Sequence, residues 1–169
     1  MELKKYIHMQ VEGLDHGLKR AIDSLTQEEI EWRPACGCNS IGLILFHIAK
    51  SEDSFVQETL KGKKELWDTG KWYKKLKLDA KEEGAHYTVE QVNAFPVPEM
   101  KAIQEYAAAV RVETLAYLDT MKAADFDKVK KMPWGEMPVA MIFSIIVSHA
   151  SQHIGEVSYL RGLQRGMDK

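Results

Sequence analysis

Apolar residues recur every three or four positions along most of the chain, the period of an α-helix with one face against a core. Over residues 3–25, Leu3, Ile7, Val11, Leu14, Leu18, Ile22 and Leu25 form one such stripe, long enough to outweigh the weakening effect of Gly13 and Gly17. Thr26 and Glu29 have capping-box spacing, which predicts a short helical turn before Arg33-Pro34. A second long helix is predicted over 40–60, opening at Asn39-Ser40. A third fits 98–121, starting at Pro98 and carrying Ile103, Tyr106, Val110, Leu115 and Leu118. The fourth, 138–161, opens at Pro138 and stops before Gly162. Four long helices with one long crossover read as an all-α four-helix bundle.

The crossover, residues 61–97, is rich in lysine, but acids are interspersed and the charges read as a solvated face. Thr88 and Gln91 signal another capped short helix within it. A connection this long usually has structure or a function of its own. Trp67, Trp72 and Tyr73 predict that it packs on the bundle as a lid or wall, able to close over a substrate. In the second helix, Leu43 and Phe46 fall outside the main stripe of Ile41, Leu45, Ile48 and Glu52, so its first half is apolar all round. Either the crossover or a second copy of the chain covers that side, and a homodimer is expected.

Composition narrows the class. With 169 residues, 45% hydrophobic and 28% charged, the chain reads as one globular domain over 1–169 rather than a disordered segment. Its 23 Lys and Arg against 25 Asp and Glu leave a net charge of −2, which gives no drive toward nucleic acid or an anionic membrane. No run approaches the roughly 20 apolar residues of a membrane span. The first residues alternate charge with apolar positions, unlike a secretory signal, so a cytoplasmic protein is expected. Cys36 and Cys38 are too few for a disulfide scaffold and too close for an ordinary bridge, and read as loop thiols.

The candidate chemistry lies in the histidines. His149 and His153 stand four apart on the fourth helix, about 40° from one another and one turn along the axis. On that helix they follow Ile142, Ile145 and Ile146 on the inward stripe and precede Glu156 and Leu160. Ionisable groups in a row on a core stripe are costly unless paired or metal-bound. The residues leave both readings open: a metal site, or two half-buried histidines hydrogen-bonded to carbonyls and carboxylates. A third ligand has to come from another helix, and His47 on the second is the obvious one, although it lies about 120° from that helix's main stripe. His8 and His16 flank the first helix's stripe and read as surface residues, while His86 reaches the site only if the crossover folds over it. Glu52 either supports a ligand imidazole or forms an internal salt bridge. Cys38 lies nine residues before His47, roughly 13 Å along a helix, so the thiols are not expected beside it.

The run WRPACGCNSIGLILFHIAKSED and the downstream block PWGEMPVAMIFSIIVSHASQHIGEVSYLRGL together resemble the DinB/YfiT-like superfamily over essentially the whole chain. The resemblance implies a four-helix bundle in which His47, His149 and His153 bind a divalent metal near one end, with Zn²⁺ or Ni²⁺ suited to imidazole ligands. It also implies frequent dimers, and branches that transfer low-molecular-weight thiols such as bacillithiol or mycothiol to small electrophiles. Glu156 stands where Gln is often found, in a place to orient a histidine or relay a proton. Three imidazoles leave open positions on an ion, as in catalytic sites. Thiol transfer, hydrolysis by a metal-activated water, and a non-catalytic metal-stabilised stress-response or interaction module are the competing expectations.

Overall fold

The computed structural model describes residues 2–166. Helix α1 (Leu3–Ile22) ends three residues short of its apolar pattern because Ser24 turns to a positive φ of 57°. The Thr26–Glu29 capping box forms and starts α2 (Gln27–Glu31). Ser40, fully buried, accepts from the Leu43 amide and starts α3 (Ile41–Asp53). Beyond Asp53 the second helix does not remain α: residues Ser54–Leu60 form a π-helical segment, a wider turn that the apolar period does not reveal. The crossover holds α4 (Leu66–Thr69), α5 (Trp72–Leu76) and α6 (Val89–Ala94), the last with the expected Thr88–Gln91 capping box. Helices α7 (Met100–Thr120) and α8 (Val139–Arg165) complete the bundle.

Around the bundle α1 lies against α8, α8 against α3, and α3 against α7, while α7 and α1 meet only thinly. Between α7 and α8 is an element absent from the helical reading: an antiparallel hairpin of β1 (Val129–Met132) and β2 (Gly135–Pro138). Pro138 therefore closes β2 and caps α8 in extended backbone rather than opening the helix. The hairpin is peripheral; Met132 alone of its residues is buried, in the cluster that holds Phe126, Phe143 and Val56. Among the described residues, no helix is long and apolar enough to cross a membrane.

The crossover packs on the bundle through aromatic groups and one buried acid. Phe46 is fully buried, 5.5 Å from the Trp67 ring and 5.7 Å from Phe95, and Leu43 is buried too. This chain's own crossover covers the side of α3 that suggested a second copy, so the expectation of a homodimer keeps only the family resemblance behind it. Asp53 accepts from the Leu66 and Trp67 amides, both at 2.9 Å, and from the Tyr106 hydroxyl at 2.7 Å. It thereby pins the start of α4 to α3 and α7 at once. Glu52 makes the internal salt bridge of the two expected alternatives: it is buried, 3.1 Å from Arg111, and accepts from Thr114 at 2.6 Å. Burial holds the carboxyls of both Glu52 and Asp53 above the ordinary carboxylate range.

Replacing Asp53 by Ala leaves a buried amide, a part-buried amide and a buried hydroxyl without an acceptor. Each lost partner costs about 1–3 kcal/mol, so Asp53→Ala should destabilise the chain in urea by clearly more than Tyr106→Phe, which removes one donor of the same set. Equal losses for the two variants would contradict this account of the crossover.

Candidate metal centre

The local fold decides where each histidine points. His47 leaves α3 on the side facing α8, between Ile44 and Ser51 in helical register, and the α3–α8 packing brings it to His149 and His153. The inward stripe of α8 is formed by Ile142, Phe143, Ile146, Ala150, Val157 and Leu160. His149 and His153 lie on its shoulder, half-buried, and Glu156 is exposed, so the stripe itself does not turn polar as its sequence suggested. The pair sits at the edge of the core, where water and small molecules reach it.

The three rings converge through one kind of atom. His47 Nε2 is 2.9 Å from His149 Nε2, and His153 Nε2 is 3.2 Å from the same atom. All three ligand atoms lie within 4.8 Å of one another. The opposite ring nitrogens explain the convergence. His47 Nδ1 donates to the Gly84 carbonyl at 2.6 Å, and His153 Nδ1 donates to Glu156 Oε2 at 2.7 Å. A carbonyl and a carboxylate only accept, so Nδ1 carries the proton in both rings, and in the neutral rings Nε2 presents a lone pair. Burial, and then the neighbouring histidines, lower the His149 pKa to about 4; burial also lowers that of His47. Near neutral pH these two rings are therefore uncharged.

This donor set fits a cation. A single proton on His149 satisfies one of the two Nε2 contacts at a time, whereas one ion accepts all three lone pairs. Three nitrogens bound at about 2.0–2.1 Å around a tetrahedral ion lie about 3.3 Å apart, close to the two observed spacings. Neutral imidazole nitrogens, with no thiolate or carboxylate among the three, suit Zn²⁺, Ni²⁺ or a similar transition ion rather than Ca²⁺ or Mg²⁺.

The Gly84 carbonyl is held in place by its own loop. Gly84 has φ +74°, and a Cβ there would stand 2.7 Å from Lys50 Cγ, so glycine is required both by backbone and by space. Glu82 accepts from the Gly84 amide at 2.9 Å and from the Tyr87 hydroxyl at 2.7 Å, closing the turn. The crossover thus folds over the site, and His86 reaches the cavity beside it.

That cavity, about 690 Å³, is bordered by His47 and His149. Phe55, Trp134 and Ile145 give it an apolar wall, and the Lys50–Glu65 pair, 2.5 Å apart, a charged one. Phe55 stands edge-on to both His149 and Trp134, each at 6.3 Å between ring centres. Trp134 is 60% exposed at the hairpin turn. Sequence reasoning missed Gly84, Phe55 and Trp134; the turn residues Pro133-Trp134-Gly135 were the available signal for the last.

Other candidates sit elsewhere. Trp67 lines the cavity, but Trp72 is packed 5.4 Å from Tyr106 and Tyr73 lies 6.2 Å from Trp67, so these aromatics are packing groups and not a closing lid. Glu52 is with Arg111 and not behind an imidazole. His8 pairs with Asp119 at 2.8 Å, and His16 bonds the Glu12 carbonyl. Both cysteines are free; Cys38 borders a separate open cleft with Glu156, and neither joins the histidine group.

A helical bundle with a crossover strapped over three convergent histidines at the junction of two helices defines a class before any comparison is made. A model of the DinB superfamily matches residues 10–157, and the chain belongs to that superfamily. The fold is similar to that of a crystal structure described as a conserved protein from Enterococcus faecalis, at 23% identity and TM-score 0.86, with 99% of each chain covered. It is also similar to a DinB-like protein from Bacillus cereus ATCC 10987, at 20% identity and TM-score 0.59, covering 90% of this chain and 86% of that one. No curated protein matches the sequence.

Two outcomes follow for the metal-free protein. Long-range ¹H–¹⁵N spectra should show His47 and His153 protonated at Nδ1 and bare at Nε2; the opposite tautomer in either ring would contradict the assignment. Because His149 has a lower pKa folded than unfolded, stability should be fully present above about pH 6.5 and decline as pH falls toward about 4. His149→Ala should flatten that decline in a pH series of urea melts.

Proposed function

We propose that His47, His149 and His153 bind one divalent transition-metal ion, Zn²⁺ or Ni²⁺, and that the site transfers a low-molecular-weight thiol to a small electrophile. The observation that carries the reading is the convergence of three Nε2 atoms, two of them with fixed tautomers, at the edge of a 690 Å³ cavity. When bound, such an ion supplies Lewis acidity, keeping a coordinating thiol deprotonated and nucleophilic near neutral pH.

The chain's own residues do the rest. Gly84 and Glu156 hold the two outer rings, so the ligand nitrogens need no reorganisation. Three protein ligands leave room for an exogenous one, which favours a catalytic over a closed structural site. Phe55, Trp134 and Ile145 exclude water from one side of the cavity, where charges act more strongly than in bulk. The Lys50–Glu65 pair gives the opposite polarity, a place for the charged part of a thiol. The half-exposed Glu156 carboxylate is placed to pass a proton between His153 and solvent. No protein nucleophile is required, so Cys36 and Cys38 are dispensable.

Elemental analysis of protein purified without chelators should find one ion per chain, and any single His→Ala change in the trio should remove most of it. Glu156→Gln should weaken the affinity by about 10–100-fold without abolishing binding. The metal-loaded protein should accelerate reaction of bacillithiol or an analogue with a reactive electrophile, and His153→Ala should not. Equal rates across several thiols would overturn thiol transfer; full metal content in His149→Ala would overturn the site.

A further inference from the structure

The cavity beside the histidines has a wall that the ligand geometry leaves unused. Phe55, Met132, Pro133, Trp134 and Ile145 line it. Met132 pairs with Gly135, which makes Pro133-Trp134 the two-residue turn of the hairpin, and Met132 is buried and anchors that turn on the bundle. The turn holds Trp134 at the cavity wall and leaves it 60% exposed. An exposed apolar side chain is ordinary on a protein surface, but this one ends a row of rings. Phe55 meets Trp134 on one side and His149 on the other, each at 6.3 Å and near-perpendicular. A single ring thus separates the exposed indole from a histidine of the metal site. The remaining rim is acidic. Glu65 neutralises Lys50, and Glu82 is engaged by the Gly84 amide and the Tyr87 hydroxyl. That leaves Glu58, Asp68 and Glu83, all exposed, against Lys81.

We propose that the Phe55–Trp134 wall is a subsite for the flat aromatic ring of an uncharged or cationic small molecule. Aromatic faces and edges carry opposite partial charge, so an aromatic guest makes an oriented contact with Trp134 that a saturated ring of the same size does not. A cationic group on the guest is favoured by the indole face and by the rim acids, which oppose an anionic one. The cavity, at about 690 Å³, has room for such a molecule beside the histidines. If the site transfers a thiol, the ring belongs to the electrophile. That last assignment rests on the proposed thiol transfer; the aryl subsite itself does not.

The test is a ¹H–¹⁵N NMR titration of the full chain, followed at the Phe55 and Gly135 amides. The probes ligate metals poorly: benzyltrimethylammonium, benzyl alcohol, benzenesulfonate and (cyclohexylmethyl)trimethylammonium. Saturable shifts are expected with benzyltrimethylammonium and benzyl alcohol. The sulfonate and the cyclohexyl compound should each bind about threefold or more weaker than benzyltrimethylammonium. Trp134 is exposed at a turn, so Trp134→Ala does not burden the fold; it should weaken benzyltrimethylammonium by about fivefold or more. Trp134→Phe should restore the affinity to within about twofold. The proposal is overturned if no probe saturates, if the cyclohexyl compound or the sulfonate binds as tightly as benzyltrimethylammonium, or if Trp134→Ala binds unchanged. It is also overturned by light scattering that shows a dimer which Trp134→Ala separates, since a second copy then covers the wall. Ring binding in the expected order by a protein that transfers no thiol supports the subsite and overturns only the thiol reading. Thiol transfer without any ring preference does the reverse.

Discussion

Lone pairs of three imidazole nitrogens aimed at one point repel one another unless a cation or a shared proton lies between them, and this constraint governs the architecture around the site. The rings are held there by acceptors behind them. Gly84 O fixes His47 and Glu156 fixes His153. Gly84 reaches His47 only because the crossover folds back over α3, and it does so because Asp53 ties down α4 and Phe46 receives Trp67 and Phe95. A buried carboxylate some two turns from His47 thus helps to orient an imidazole by way of thirty residues of intervening chain.

The two ends of the site serve different purposes. Toward the core, helix packing and the crossover make the ligand geometry rigid. Toward solvent, the π-helical segment after Asp53 and the hairpin before α8 build a wall from Phe55 and Trp134. A π-segment changes the angular spacing of successive side chains and frequently marks functional positions. Here it lies directly after the helix that carries His47, and Ser54, Phe55, Glu58 and Thr59 from it line the cavity.

Much of this was legible in the sequence, and the parts that were not share a cause. The helices show because their apolar stripes repeat over many turns, and the Thr26 and Thr88 capping boxes show because both partners are local. His149 and His153 are visible as a pair because one helix fixes their separation. His47 was already the obvious third ligand on another helix, although the angular argument placed it off the main stripe, and the resemblance added support. The hairpin was hidden because its strands are four residues each and mostly exposed, with no buried alternation to read. The roles of Gly84 and of the Trp67–Trp72–Tyr73 group depend on how a long connection folds across the bundle. Composition predicted that it packs there, but not that the aromatics become core while a backbone carbonyl becomes the functional contact.

The most direct measurement is an X-ray absorption spectrum of the zinc- or nickel-loaded protein in thiol-free buffer. Three imidazole nitrogens, completed by oxygen from solvent and with no sulfur in the inner sphere, are predicted. Sulfur scattering from Cys36 or Cys38, or fewer than three imidazoles, would contradict the account.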